Sequence, residues 1–201
     1  MWAGDQETIE RDLGYAKRLM LNSTRIWLRK SVYDESPQAF INKLINYVRT
    51  ANSFGISTMP ILWNGNMLDT SILEEENWPE GEAYVKEIIE ALRDEEGLLM
   101  WDIMNEPTCN DYWRKATPEE KPERDAKLWK FVRHYIEYVK SIDPSNNAVT
   151  VGNTFITDTE PTADLVDVIS FHDYLETRGR VEATYQKAEE FKNKYNKPLI
   201  N

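Results

Sequence analysis

The sequence predicts an α/β fold in which a parallel β-sheet is covered by helices. Apolar segments of strand length alternate with segments of helical period along the whole chain. The strand segments are apolar throughout, which is typical of parallel strands buried on both faces. Polar side chains follow many of these strands, as they do where a parallel sheet presents a site at one edge. No linker or composition shift divides the sequence, so we expect a single domain over residues 1–201.

The first elements follow from apolar spacing and from one glycine. Residues 7–21 repeat apolar side chains at helical spacing, and residues 22–28 then form an apolar strand that contains Arg25. Residues 37–54 form a second helix, which Gly55 ends as a C-cap. Residues 56–63 form the next strand, and a turn at 64–66 leads into a polar loop.

The later elements repeat the same alternation. We predict helices over residues 83–93, 125–142 and 181–195. We predict strands over residues 98–103, 148–151, 167–171 and 197–201, with a long polar loop over 108–124. Each helix falls between two strands, which is the arrangement that parallel pairing requires.

Two architectures fit this alternation, an open doubly wound sheet and a closed barrel. A doubly wound nucleotide-binding sheet requires a glycine-rich turn after an early strand, and the eight glycines form no such pattern. The barrel is favoured because polar and aromatic groups end several strands, as they do in barrel enzymes. These groups are Arg25, Asn64, Asn105 with Glu106, Asn153, and His172 with Tyr174.

Composition excludes several classes of function. The net charge of -11 argues against a nucleic-acid partner, because phosphate binding needs a basic surface. No apolar segment approaches the roughly 20 residues that cross a bilayer, so we expect no membrane partner. The lone Cys109 excludes an intrachain disulfide and a cysteine-rich metal site. Nothing in the opening residues indicates a compartment, and we expect that they are an interior start.

The segment from Met104 to Pro107 places a carboxylic acid and an amide where a buried strand meets a loop. Glu106 supplies the carboxyl group and Asn105 the neighbouring hydrogen-bonding side chain. Such a pair suits acid/base work on a glycosidic bond. Taken alone, a glutamate before a proline is more often a loop carboxylate than a catalyst, and Asn105 could cap the loop that follows.

Five segments in order resemble the (β/α)8 retaining glycosidases of clan A, most closely glycoside hydrolase family 5 and next family 2. The segment from Trp101 to Pro107 resembles the fourth barrel strand of these enzymes. The other four segments resemble the second strand, the exit of the fourth helix with the fifth strand, the sixth strand and the entry to the seventh. These four segments are residues 22–27, 141–152, 167–174 and 197–200.

The resemblance implies specific roles at the strand ends. Glu106 would be the general acid/base and Asn105 would bind the sugar 2-hydroxyl group. Arg25 would keep the nucleophile ionised, and His172 and Tyr174 would line the floor of the site. Trp63 and Asn64 would contact substrate at the end of the third barrel strand, where many family 5 members carry a histidine. No metal or organic cofactor is implied.

The resemblance also implies that the barrel is incomplete. The six predicted strands correspond to barrel strands two to seven, so the first and the eighth are missing. The clan A nucleophile is a glutamate at the end of strand seven, and we expect it beyond Asn201. We therefore expect the 201-residue chain itself to be inactive.

Other functions remain open from the residues themselves. The chain could be a carbohydrate-binding barrel remnant without turnover, or an unrelated barrel enzyme such as a lyase. Arg25 could be an interior ion-pair partner, and His172 a buried histidine without a role in catalysis. Trp27 is expected to pack in the core.

Overall fold

The computed structural model describes residue 2 and residues 4–201, and its centre is one six-stranded parallel sheet. The strands are Ser23–Trp27 (β1), Ser57–Asn64 (β2), Trp101–Asn105 (β3), Val149–Asn153 (β4), Ile169–Phe171 (β5) and Leu199–Ile200 (β6). Each strand pairs with the next one in the chain, so the order in the sheet is the order in the sequence. This order is that of a (β/α)8 barrel, because a doubly wound sheet reverses its order at the centre. The predicted partial barrel is confirmed.

Helices connect the strands. They are Gln6–Arg18 (α1), Lys30–Glu35 (α2), Pro37–Ser53 (α3), Trp78–Leu92 (α4), Asp111–Arg114 (α5), Lys121–Ile142 (α6) and Arg178–Tyr195 (α7). Single 3₁₀ turns occupy Gly65–Met67, Thr70–Leu73, Glu75–Asn77 and Ile156–Thr159. After α3 the chain turns through Gly55, whose φ of 75° lies in the left-handed region that glycine enters without strain.

The main core lies between the sheet and the helices. Trp63 of β2 packs edge-on against Tyr84 of α4 and Phe131 of α6, with ring centroids 5.5 Å apart in both pairs. Trp101 of β3 is fully buried, and its indole nitrogen donates a hydrogen bond of 2.8 Å to Asp143. Aromatic packing of this kind fastens the helices to the outer face of the sheet.

Several element boundaries differ from the sequence prediction. Helices α4 and α6 begin at Trp78 and Lys121, four to five residues earlier than predicted. Each has a proline in its first turn, where the missing N–H group removes no helical hydrogen bond. Helix α2 was not predicted, because six residues are too few to show helical spacing. Strands β3 and β4 continue two residues further than predicted, to Asn105 and Asn153.

Candidate active site

The carboxyl group of Glu106 stands directly after the last residue of β3. The backbone of Glu106 has a φ of 45°, a left-handed conformation that is uncommon for a residue with a side chain. Its amide donates a hydrogen bond of 2.6 Å to the carbonyl oxygen of Gly152 on β4. Strained backbone of this kind is concentrated at functional sites.

A pocket of about 500 Å³ opens above the carboxyl ends of the strands around this carboxylate. It brings together five of the seven predicted site residues. These five are Arg25, Asn105, Glu106, His172 and Tyr174. The pocket is completed by Trp27, Asn66, Asp173 and Asn201.

Arg25 forms the floor of the pocket through a buried ion pair. Its Nε and Nη2 donate hydrogen bonds of 2.8 and 2.6 Å to one oxygen of Asp102, whose side chain is fully buried. The other oxygen of Asp102 accepts a hydrogen bond of 3.1 Å from the amide of Gly152. The guanidinium therefore has the interior ion-pair partner that the sequence left open, and it also faces the pocket. An Arg–carboxylate pair of this kind fixes the orientation of the guanidinium plane.

The amide of Asn105 has partners on both sides. Its Oδ1 accepts a hydrogen bond of 2.8 Å from Arg25. Its Nδ2 donates hydrogen bonds of 3.3 Å to Asn64 and 3.2 Å to Asn66. Since an amide has one carbonyl oxygen and two N–H donors, the orientation of Asn105 is defined by these three contacts.

His172 lies beside Glu106, with its Nδ1 3.1 Å from Oε1 of that carboxyl group. Burial raises the pKa of Glu106, but hydrogen bonding from His172, Asn66 and Cys109 outweighs burial and leaves the pKa below its usual value. The side chain of Glu106 is only 12% exposed. The carboxyl group is therefore held as a carboxylate at neutral pH.

Cys109 follows Glu106 and contacts the same carboxyl group. Its amide donates a hydrogen bond of 2.9 Å to the carbonyl oxygen of Glu106. Burial, opposed in part by Arg114, raises the pKa of the Cys109 thiol, and the Glu106 carboxylate raises it further. The thiol consequently stays protonated at neutral pH and can donate to the carboxylate.

Two aromatic side chains flank the mouth of the pocket. Tyr174 is 71% exposed, which corrects the expectation that it lines the floor, and Trp27 is 52% exposed. The exposure of Trp27 contradicts the prediction that its ring packs in the core. An exposed ring face beside a polar pocket is the kind of surface on which the apolar face of a sugar stacks.

Trp63 and Asn64 do not line this pocket. They lie instead on a second cavity of about 650 Å³ between α2, α4 and the loop after β2. Asn64 is still connected to the candidate site, because it accepts the hydrogen bond from Asn105. Trp63 is only 5% exposed and its ring lies in the aromatic core, so the structure corrects the prediction that it contacts substrate. A residue just before a strand end can face either the barrel interior or the helices, and the side chain of Trp63 faces the helices.

Two glycines that sequence reasoning passed over make room for the site. A Cβ on Gly65 would lie 2.0 Å from the carbonyl oxygen of Glu106. A Cβ on Gly152 would lie 2.3 Å from Nη2 of Arg25 and 2.9 Å from Nε2 of His172. No real Cβ tolerates such distances, so only glycine allows the turn after β2 and strand β4 to approach this closely.

Asp102 was also missed, although the sequence contained a signal. A carboxylate within an otherwise apolar strand must have a buried partner, since an isolated buried charge is costly. Within residues 2 and 4–201, no group of three or more histidine, cysteine, aspartate or glutamate side chains is placed to hold a metal ion. No helix over the same residues is long and apolar enough to cross a membrane.

Comparison with known proteins gives one family match. Residues 37–201 match the family model described as Cellulase (glycosyl hydrolase family 5). No curated protein sequence matches the chain significantly.

Solved structures with the same fold include three mannanases. The endo-1,4-β-mannanase from Rhizomucor miehei has a TM-score of 0.75 at 17% identity, over 98% of this chain and 72% of that one. The endo-β-1,4-mannanase from Thermotoga petrophila has a TM-score of 0.73 at 17% identity, over 100% of this chain and 58% of that one. The β-mannanase from the blue mussel Mytilus edulis has a TM-score of 0.65 at 20% identity, over 84% of this chain and 63% of that one. At these identities the likeness shows the fold, and the chain spans less than two thirds of the mussel and Thermotoga proteins.

Proposed function

The chain belongs to glycosyl hydrolase family 5, and from this premise we propose that it carries the acid/base half of a retaining β-glycosidase site. The observation that carries the proposal is the placement of Glu106. Its carboxyl group stands at a strand end, 3.1 Å from His172, and faces a pocket beside Asn105 and Arg25. The substrate class is an oligosaccharide or polysaccharide with β-glycosidic bonds.

In the first step, Glu106 would give its proton to the glycosidic oxygen as the bond to the anomeric carbon breaks. The leaving sugar departs as an alcohol, and a second carboxylate bonds to the anomeric carbon. This step needs a protonated Glu106, whereas the hydrogen bonds that Glu106 receives within these 201 residues favour the carboxylate. A second carboxylate about 5–5.5 Å away would raise the pKa of Glu106, since like charges disfavour ionisation.

In the second step, Glu106 would act as a base. Its carboxylate takes a proton from water while the water oxygen bonds to the anomeric carbon, and the nucleophile leaves as a carboxylate. The donors from His172, Asn66 and Cys109 suit this form of Glu106. Arg25, held by Asp102, would put its positive charge beside the attacking carboxylate and keep it ionised.

The remaining residues would bind the sugar. Asn105 would bond the 2-hydroxyl group, a contact that strengthens in the transition state. His172 would contact a hydroxyl group or the nucleophile, and Tyr174 would orient the nucleophile from the rim. Asn64 would act on substrate through the amide of Asn105. Trp63 is left out of this proposal.

The nucleophile would come from a segment outside these 201 residues. Besides Glu106, the carboxylate that lines the pocket is Asp173, whose side chain is 5% exposed. Asp173 accepts a hydrogen bond of 3.0 Å from Thr184 on α7, so it is engaged within the fold. Its other oxygen lies 3.8 Å from Arg180, so both carboxylate oxygens of Asp173 have partners on α7.

The test is Glu106→Gln in a completed barrel, meaning this chain joined to the remaining strand–helix units of a family 5 barrel. We expect turnover of β-mannan, cellulose and xylan to fall about 10²–10⁴-fold. The loss should be smaller on aryl β-glycosides with good leaving groups, which need little protonation, and azide should restore part of their turnover. Unchanged turnover by the variant would remove Glu106 from the mechanism.

A second candidate is carbohydrate binding without turnover. The partners of Asp173 on α7 favour it, because Glu106 is then the one carboxylate among the described pocket residues that is not bound to that helix. The two candidates differ in whether the completed barrel releases reducing sugar.

A further inference from the structure

The turn after β2 is locked against the backbone of Glu106. Asn64, the last residue of β2, is aligned in register with Asn105 of β3. The Oδ1 atom of Asn64 accepts a hydrogen bond of 3.2 Å from the amide of Asn66. Gly65, between them, lies so near the carbonyl oxygen of Glu106 that no other residue fits. Three separate contacts therefore fix where the side chain of Asn66 begins.

That side chain lies between the two residues that the proposed mechanism uses most. Its Oδ1 accepts the hydrogen bond of 3.2 Å from Nδ2 of Asn105. With Oδ1 so engaged, its Nδ2 is the group left to donate to the carboxyl group of Glu106, which lines the same pocket and whose pKa Asn66 lowers. An amide suits this place, because it accepts from one neighbour while it donates to the other.

We propose that Asn66 is a positioning residue, whose amide joins the Asn105 amide to the Glu106 carboxyl group and holds both in their reactive orientation. The proposal rests on the proposed function of Glu106 and Asn105. The sequence pattern predicted site residues at strand ends alone, whereas Asn66 lies in the exposed turn after β2.

The effect of the Asn66 amide on the pKa of Glu106 has a sign that can be measured. A neutral N–H donor favours the ionised carboxylate of Glu106, so its loss must favour the protonated acid. Asn66→Ala removes the N–H donor. Asn66→Asp replaces the amide with a negatively charged carboxylate of nearly the same size. Both changes should raise the pKa of Glu106, and the aspartate should raise it more. A residue that only shaped the loop would not produce this order.

The first measurement uses the 201-residue chain and needs no catalysis. The Glu106 carboxyl resonance is titrated by carbon-13 NMR, and Glu106→Gln assigns it by its disappearance. We expect the midpoint to rise in the order wild type, Asn66→Ala, Asn66→Asp. Asn193→Asp, which adds the same charge at an exposed position on α7, should leave the midpoint unchanged. Thermal unfolding of each variant checks that the fold is intact.

The second measurement uses the completed barrel. The alkaline limb of kcat/KM reports the proton on the general acid, so it should move to higher pH in both variants. The maximum of kcat/KM should fall about tenfold, because Asn105 and Glu106 lose a shared partner. Asn66→Gln keeps the amide and should recover part of that loss.

Unchanged midpoints and an unmoved alkaline limb in Asn66→Ala and Asn66→Asp would overturn the positioning role. A variant with lower kcat/KM but an unchanged Glu106 midpoint and an unmoved alkaline limb would also overturn it, because that result indicates damage to the loop. Failure of the proposed function is a different result, namely full turnover by Glu106→Gln, and it would leave the NMR titration interpretable.

Discussion

Gly152 of β4 lies directly against the guanidinium of Arg25, and a Cβ at this glycine would lie 2.3 Å from Nη2. The same Cβ would lie 3.0 Å from the Asp102 oxygen that holds the guanidinium. The floor of the pocket therefore depends on the absence of one side chain from the neighbouring strand.

Gly152→Ala should destabilise the chain by about 1–3 kcal/mol, the usual effect of overpacking a filled interior. Urea unfolding at pH 7 measures the change. Gly179→Ala is the matched control, because a Cβ there meets nothing within 4 Å on α7. The control should gain up to about 1 kcal/mol from helix propensity. Equal stabilities for the two variants would contradict the packing argument.

Asp102→Ala should be more damaging than Gly152→Ala. It leaves the charge of Arg25 partly buried without its partner, which costs about 3–5 kcal/mol in comparable sites. The double change of Asp102→Ala with Arg25→Met removes the unpaired charge and should recover part of that stability. Urea unfolding of the single and double variants provides the comparison, and an absence of recovery would mean that shape rather than charge is lost.

The contribution of the Glu106 charge to stability should depend on pH. Its pKa is lower in the folded chain than its ordinary value of 4.5. The charge therefore stabilises the fold above pH 4.5, and this part of the stability is lost as pH falls through the folded pKa. The difference in unfolding free energy between wild type and Glu106→Gln should be larger at pH 7 than at pH 3. A difference that grows on acidification would reverse the sign of the pKa shift.

Cys109 should react slowly with thiol reagents at pH 8, because its pKa is raised by burial and by the Glu106 carboxylate. Glu106→Gln removes that carboxylate and should speed labelling of Cys109. The control is an exposed thiol, introduced by Asn193→Cys in a Cys109→Ser background. Its labelling rate should be the same with and without Glu106→Gln. If Glu106→Gln leaves the labelling rate of Cys109 unchanged, the thiol and the carboxylate are not coupled.

The 201-residue chain should not hydrolyse aryl β-glycosides or β-mannan. Retention needs two carboxylates about 5–5.5 Å apart, and the pocket offers Glu106 beside an engaged Asp173. Asp158 and Glu160 do not line the pocket, and they bind Thr108 and Lys194 instead. Turnover that survives purification and is abolished by Asp173→Asn would make Asp173 the nucleophile.

The sequence was sufficient for the features that are local along the chain. The apolar run that ends in Asn105 and Glu106 predicted both a buried strand and a carboxylate at its end. The face of a strand residue is decided by packing, so Trp63 was placed wrongly and Trp27 was predicted to be buried. The closeness of Gly65 and Gly152 to the site depends on neighbouring strands, and no spacing in one sequence reveals it. Asn66 belonged to a recognised turn, but its partners lie about 40 residues away.

The left-handed backbone at Glu106 sets stability against the proposed acid/base role at one residue. This conformation destabilises a residue with a Cβ by about 1–2 kcal/mol, and it destabilises glycine little. Glu106→Gly would thus relax the turn while it removes the acid. Stability alone would favour glycine at this position, so the backbone cost at Glu106 is accounted for by the proposed role of its carboxyl group.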